Sequence, residues 1–166
     1  MMNEENAVDL LKKSELFGVD IWVTGGWGVD ALLGQQSRPH NDIDIFVQKK
    51  DTAVFTEMIK SNGYSETKME YSTDDQIVYT NSDDSTIDLH LFEFTENGAL
   101  LFENVIYPAD IFNGKGTIGG IIVRCMPAEA QVQYHQGYEQ KEKDRQDVLL
   151  LCKTLELAIP KEYEKR

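Results

Sequence analysis

The sequence predicts an α/β chain of the α+β type: a mixed, twisted β-sheet flanked by helices, with further helices towards the C-terminus. Three observations carry that expectation. An apolar run at 20–23 meets a Gly-Gly pair and resumes with helical spacing at 29–33, which is a strand, a tight turn and a helix in succession. Polar and apolar residues alternate from Asn41 to Val47, as on a half-buried strand. Two segments, 4–17 and 51–62, instead repeat their apolar residues every three or four positions, the period of a helix with one buried face.

In chain order, Ala7, Val8, Leu10, Leu11 and Phe17 mark the inner face of a first helix, with Gly18 placed to cap it. Asp20 to Val23 lead as a strand into Gly25-Gly26, and Val29 to Leu33 give a short helix ended by Gly34. The polar segment 35–41 contains Pro39 and is a loop; the alternating strand follows it. Asp51 or Thr52 caps the second long helix, on which Val54, Phe55, Met58 and Ile59 are expected to pack before Gly63 ends it. Residues 64–71 and 76–81 read as two strands across an Asp-rich turn, with Glu70 and Tyr71 either on a plain edge strand or facing the cleft. A turn at 82–84 leads to a strand at 86–92, the acidic stretch 93–98 forms a hairpin turn, and 102–107 is extended. Four glycines fall within 112–120, yet no Lys-Ser/Thr pair and helix follow as in a phosphate loop, so the segment reads as a hairpin. After Pro127 come a helix at 128–138, a charged cluster at 139–145, and a helix at 145–157 with Val148, Leu149, Leu151, Cys152 and Leu155 inward. Asp144 and Asp147 are expected to serve as its N-cap and first-turn acids.

At 166 residues, with 41% apolar and 27% charged, the chain is long enough for one domain that buries most of its apolar surface unaided. Cys125 and Cys152 have neither metal-ligand spacing nor the pattern of a disulfide framework. No apolar run approaches the roughly 20 residues of a membrane span, and the N-terminus is acidic rather than a basic signal region, so the expected location is the cytoplasm. A formal charge of -13 argues against a nucleic-acid partner, which would need a basic stripe, and favours encounter with a small cationic acceptor.

The chemistry concentrates at residues 22–47. Side chains two apart on a strand share a face, separated by two rises of about 3.3 Å, so Asp42 and Asp44 point the same way with Ile43 and Ile45 behind them. Two adjacent carboxylates call for a cation, and Mg²⁺ held by carboxylates and substrate phosphates is the usual one. Gly25 and Gly26 allow backbone N–H groups to approach a phosphate, and the helix that follows adds its positive end. On the strand at 86–92, Asp88 and His90 share a face, and a position beside the Asp42/Asp44 strand would bring Asp88 to the same cluster.

These residues carry a resemblance. Gly25-Gly26-Trp27-Gly28-Val29-Asp30 followed by Arg38-Pro39-His40-Asn41-Asp42-Ile43-Asp44 is similar to the small antibiotic nucleotidyltransferases of the polymerase-β-type superfamily, whose signature is Gly-Gly or Gly-Ser, a spacer and Asp-x-Asp. The Gly-Gly-Trp form with Arg-x-His most resembles lincosamide nucleotidyltransferases and the related aminoglycoside 2″-nucleotidyltransferases. The similarity continues through Ile87-Asp88-Leu89-His90, Tyr134-His135-Gln136-Gly137-Tyr138 and Lys143-Asp144-Arg145-Gln146-Asp147.

The resemblance implies a nucleotidyltransferase fold, with residues 1–126 as its core and 127–166 as a C-terminal helical part of the same domain. It implies transfer of AMP or another NMP from MgATP, or another NTP, to a hydroxyl of a lincosamide, releasing pyrophosphate and conferring resistance. Asp42, Asp44 and Asp88 would be the catalytic acids and the ligands of two Mg²⁺ ions, with Asp88 also taking the acceptor's proton. Gly25, Gly26, Arg38 and Lys143, with Arg145 beside them, would face the phosphates. His40 either faces the nucleotide or orders its loop. His90, Tyr134, His135 and Tyr138 are candidates for the acceptor side, His90 also for a partner of the acids. Monomer and homodimer both stay open as assemblies, small relatives often completing the acceptor site with a second copy. The alternatives are an aminoglycoside acceptor, a protein hydroxyl as acceptor, and a non-catalytic binding module of the same fold.

Overall fold

A computed structural model describes residues 1–98, 100–136 and 141–164. The strands are β1 (Ile21–Thr24), β2 (Asp42–Gln48), β3 (Ser65–Thr67), β4 (Gln76–Thr80), β5 (Thr86–Phe94), β6 (Leu100–Phe102), β7 (Val105–Tyr107), β8 (Gly114–Ile118) and β9 (Ile121–Cys125). The helices are α1 (Glu4–Leu16), α2 (Gly25–Leu33), α3 (Thr52–Ser61), α4 (Ala128–Tyr134), α5 (Glu142–Thr154) and α6 (Lys161–Glu164). The sheet runs β3-β4-β5-β2-β1-β9-β8, with β6 added to the end of β5 and β7 to β6. It is mixed: β2 pairs parallel with β5 and antiparallel with β1, and β1 pairs parallel with β9.

The period-two pattern of β2 and β5 decides which face is which. Ile43, Ile45 and Val47 on β2, and Ile87, Leu89 and Leu91 on β5, turn to one side and are buried with Leu10, Phe55, Met58 and Ile59 of α1 and α3. Fully burying one such aliphatic side chain contributes roughly 1.5–3 kcal/mol, so this face makes the main core. The other face carries Asp42, Asp44 and Phe46 along β2 and Asp88, His90 and Phe92 along β5, passing from acid to aromatic within one strand length. At the aromatic end a second cluster forms from Trp22, Phe46, Phe92, Leu100, Ile111, Phe112 and Met126. A third cluster, of Val29, Ala128, Val132, Val148, Leu151, Cys152 and Tyr163, seats α4, α5 and α6 against α2. Cys125 and Cys152 are both free and buried. Among the described residues no helix is long and apolar enough to cross a membrane.

Several boundaries differ from the sequence reading. Helix α2 begins at Gly25 itself, so the two glycines form its first turn rather than a turn before it. Val54 is 43% exposed, on the outer side of α3. The expected extended piece at 102–107 is a hairpin, β6–β7, whose turn residues Glu103 and Asn104 both take positive φ. The glycine-rich segment is the hairpin β8–β9, turning at Gly119-Gly120. Helix α5 starts at Glu142, earlier than expected, because the Asp144 carboxylate accepts the backbone N–H of Lys141 and closes the helix end there. Leu155 is the residue just past the end of α5 and is partly exposed, not inward. Helix α4 ends at Tyr134.

Candidate active site

Asp44 and Asp88 are direct partners across the parallel strands β2 and β5, and Phe46 and His90 are the next pair along. Ligand atoms of Asp44, Asp88 and His90 lie within 4.8 Å of one another. The His90 Nε2 is 3.7 Å from Asp88 Oδ1 and 3.9 Å from Asp44 Oδ1, and its ring stacks on Phe46 at 4.8 Å. Asp42 stands outside this tight group but lines the same cavity. Two carboxylate charges about 5 Å apart repel by on the order of 3 kcal/mol at an effective dielectric near 20. Burial, then the neighbouring Asp44 charge, raises the Asp42 pKa, with Lys143 opposing. Burial likewise raises that of Asp88, against the lowering influence of His90. An arrangement that places like charges together in a half-buried cleft, with oxygen donors converging, fits a divalent cation.

Two further residues attend Asp88, Gln76 unforeseen and Tyr71 in the cleft-facing role that is one of its two sequence readings. Gln76, on the antiparallel neighbour β4, directs its Nε2 at both carboxylate oxygens, at 3.1 and 3.2 Å. Tyr71 lies in a turn and lines the cavity, correcting the edge-strand reading. Its phenol pKa is raised by burial first and then by Asp88, Asp42 and Asp44. Gln76 belongs to no motif, and only the pairing of β4 with β5 reveals it.

The glycines meet the acids through register. Thr24, the last residue of β1, pairs with Asp44, so the chain enters α2 directly over that carboxylate. Gly25 has φ +61°, and a Cβ there would overlap Asp44 Oδ2. Both facts require glycine. A Cβ on Gly26 would lie 2.6 Å from Arg38 Nη2 and 2.6 Å from His40 Nδ1. Arg38 and His40 are thus packed onto the first turn of α2, where backbone N–H groups have no helical acceptor and Thr24 supplies no side-chain cap.

The loop carrying Arg38 is tied down from within. Asp30 of α2, 1% exposed, accepts from the Ser37 backbone N–H at 3.0 Å and its hydroxyl at 2.5 Å, and meets His40 Nε2 at 2.5 Å. The His40 ring, itself buried, lies 4.7 Å from that of Trp27. Of the two roles open to His40, ordering the loop is the one its contacts display. Arg38 Nε donates to Asp147 Oδ1 at 2.8 Å and Nη2 to Asp147 Oδ2 at 2.5 Å, a two-pronged pair that raises the guanidinium pKa further. Asp147 is therefore not a first-turn acid of α5: it lies in the second turn, buried, facing the loop.

The cavity in front of these groups has a volume of about 780 Å³. Gly25, Gly26, Arg38, Lys141, Lys143 and Asp144 line one part, and Asp42, Asp44, Asp88, Gln76 and His90 the middle. Phe46, Leu100, Phe102, Ile111, Phe112 and Met126 line the rest, with Tyr107 and Tyr134 in edge-to-face contact at 5.5 Å. His135 also lines it, its Nδ1 2.6 Å from the Gln131 carbonyl oxygen and its own carbonyl accepting from the Tyr163 hydroxyl. Arg145 is not among the lining residues, and Tyr138 lies outside the described residues. The aromatic wall is not legible as a site in the sequence, because each of its members also satisfies an ordinary core pattern.

A sequence profile of the aminoglycoside-2''-adenylyltransferase family matches residues 6–151. The chain is 27% identical over 153 residues to a lincosamide resistance protein of Staphylococcus haemolyticus, with 89% of this chain and 92% of that protein aligned. Among solved structures, the lincomycin-bound lincosamide antibiotic adenylyltransferase LnuA matches with a TM-score of 0.80 at 26% identity, over 90% of this chain and 96% of that one. ANT(2'')-Ia in complex with adenylyl-2''-tobramycin gives 0.74 at 19% identity, over 93% and 90%, a likeness of fold. A mixed sheet that sets converging carboxylates beneath a glycine-opened helix defines a nucleotidyltransferase. The chain belongs to the aminoglycoside-2''-adenylyltransferase family. It is an enzyme whose donor is a nucleoside triphosphate and whose carboxylates suit a divalent cation.

Proposed function

We propose that the protein transfers AMP from MgATP to a hydroxyl of a lincosamide antibiotic and releases pyrophosphate. The observation that carries the acceptor is the cavity wall beyond the acids. Phe46, Leu100, Phe102, Ile111, Phe112 and Met126 present it, with no carboxylate among the described residues of that wall. A lincosamide, an amphiphilic sugar amide with one basic amine, can lay apolar surface there while a sugar hydroxyl reaches the acids. The lincosamide names of the Staphylococcus haemolyticus relative and of LnuA agree with that chemistry.

In this reading Asp42, Asp44 and Asp88 would hold two Mg²⁺ ions, which would supply charge compensation for the phosphoryl transfer. Asp88, held by Gln76, accepts the proton of the acceptor hydroxyl, whose oxygen forms the new bond to the α-phosphorus. The bond to the β-phosphate bridging oxygen breaks, and pyrophosphate leaves towards the first turn of α2, Arg38, Lys141 and Lys143. His90, Tyr134 and His135 border the acceptor.

A second reading keeps the chemistry and takes an aminoglycoside, favoured by the name of the family profile and by the net charge of -13. Its several ammonium groups would need carboxylates on the wall that the aromatic residues occupy. The purified protein with MgATP should release pyrophosphate with lincomycin or clindamycin and far more slowly with kanamycin or tobramycin. Release with the aminoglycosides alone overturns the acceptor assignment, and release with neither overturns the whole reading.

A further inference from the structure

We propose that Asp147 is the positioning residue for Arg38: it fixes the guanidinium over the first turn of α2 and so couples the second turn of helix α5 to the nucleotide site. The proposal rests on the nucleotidyl-transfer reading and extends it to a residue that touches neither donor nor acceptor.

The Asp147 side chain is 3% exposed and that of Arg38 20%. A carboxylate so buried needs a matched partner, and both of its oxygens are met by the Arg38 fork. Arg38 Nη1 also donates to the Pro39 carbonyl at 3.2 Å. Three of the guanidinium N–H bonds are thereby used, which leaves one on Nη1 and one on Nη2. The Nη2 atom lies where the side chain of residue 26 would be, and Gly26 provides the space by having none. Clamping Nε and Nη2 to one planar carboxylate fixes the plane of the guanidinium and therefore the direction of the remaining Nη2 N–H. A lysine could not be oriented this way, because its ammonium rotates freely about a single bond.

The loop backbone has its own anchors. Asp30 holds Ser37 and His40 on either side of Arg38 without help from Asp147. Loss of the Asp147 carboxylate should therefore free the Arg38 side chain while leaving the loop in place. That separates a positioning role from a clip holding the loop.

The test uses the full chain and the variants Asp147→Asn, Asp147→Glu, Arg38→Ala and Arg38→Ala/Asp147→Asn. The affinity for Mg²⁺ and α,β-methylene-ATP is measured by calorimetry, and KM for ATP and for lincomycin by steady-state kinetics. Asp147→Asn should weaken nucleotide affinity and raise KM for ATP by about tenfold, with KM for lincomycin unchanged. Asp147→Glu should regain part of the affinity, and the double variant should bind no more weakly than Arg38→Ala alone. Wild-type nucleotide affinity in Asp147→Asn, or effects that add in the double variant, overturns the proposal. Should Asp147→Asn fail to fold, Arg38→Lys serves instead, since it keeps the charge and the acid but loses the fork; unchanged affinity there overturns the proposal as well. Wild-type protein that binds no nucleotide overturns the transfer reading itself, a failure visible ahead of any variant.

Discussion

Asp44 and Asp88 stand directly opposite each other on the parallel strands β2 and β5, with no residue of offset between them. The acid-to-aromatic order along both strands is kept in step by this register, and it sets the first prediction. Asp88→Asn should reduce turnover by about a hundredfold or more, because the proposed mechanism makes Asp88 both the proton acceptor and a cation ligand. The effect on stability has the opposite sign. Burial raises the Asp88 pKa in the folded state, so its contribution to stability is complete below the unfolded value and lost as pH rises through the folded one. At neutral pH in EDTA the ionised carboxylate costs the fold, and Asp88→Asn should melt above wild type. The gap should close on acidification to about pH 4. Thermal melts across pH check the sign.

Divalent cation should reverse that ordering. A ligand that binds only the folded state raises the melting temperature in proportion to the logarithm of its concentration. Millimolar Mg²⁺ should therefore stabilise the wild-type protein, and EDTA should undo it. Asp44→Asn should be insensitive to both. A melt of that variant that still rises with Mg²⁺ would show the cation bound elsewhere.

Gln76 donates to both oxygens of Asp88 from the adjacent strand β4. Hydrogen bonds to a charged group contribute about 1.5–3 kcal/mol. Gln76→Leu should lower kcat by about ten- to a hundredfold while KM for ATP stays near wild type, because the proposed mechanism puts the nucleotide phosphates on the other side of the acids. Gln76→Glu should be more damaging, since it adds a fourth negative charge beside the cluster. Steady-state kinetics of the two variants separate orientation from charge.

Gly25 has no room for a side chain and adopts φ +61°. Gly25→Ala should cost about 1–3 kcal/mol for a non-glycine residue in the left-handed region, a fall of several degrees in melting temperature at this chain length. The methyl group would also displace the Asp44 carboxylate, so the Mg²⁺-dependent rise should vanish with it. Calorimetry and the Mg²⁺ melt series measure the two effects independently.

Phe102 borders the cavity from the β6–β7 hairpin and touches both Phe46, at 5.2 Å, and His90, at 5.5 Å. It is only partly buried, so Phe102→Ala should leave the fold largely intact. Loss of an aromatic contact in a binding wall should raise KM for lincomycin by about tenfold without changing KM for ATP. A raised KM for ATP instead would place the acceptor elsewhere in the cavity.

Much of the fold is legible in the sequence because local patterning decides it. The alternation at 41–47 and 86–92 assigns the faces of β2 and β5, and the glycine pair marks the passage from β1 to the next helix, though not where that helix starts. Local reading fails where a tertiary contact overrides local preference. Tyr71 reads as the end of a strand running from Tyr64, yet β3 stops at Thr67 and leaves this residue in a turn that lines the cavity. Residues 102–107 look like one extended piece because nothing in Glu103-Asn104 announces a turn without glycine; both residues take positive φ there.

The sequence by itself determined the ingredients of the site: two glycines, Asp-x-Asp, a later Asp-x-His, and the basic residues of the C-terminal segment. Their periodicities are local, so the alternation of residue types alone shows which side chains share a face. Only the tertiary structure decided the pairings, because strand register and helix docking bring together residues far apart in the chain. Asp44 meets Asp88, Gln76 reaches Asp88, and Arg38 closes on Asp147, 109 positions away, through packing that no local pattern encodes.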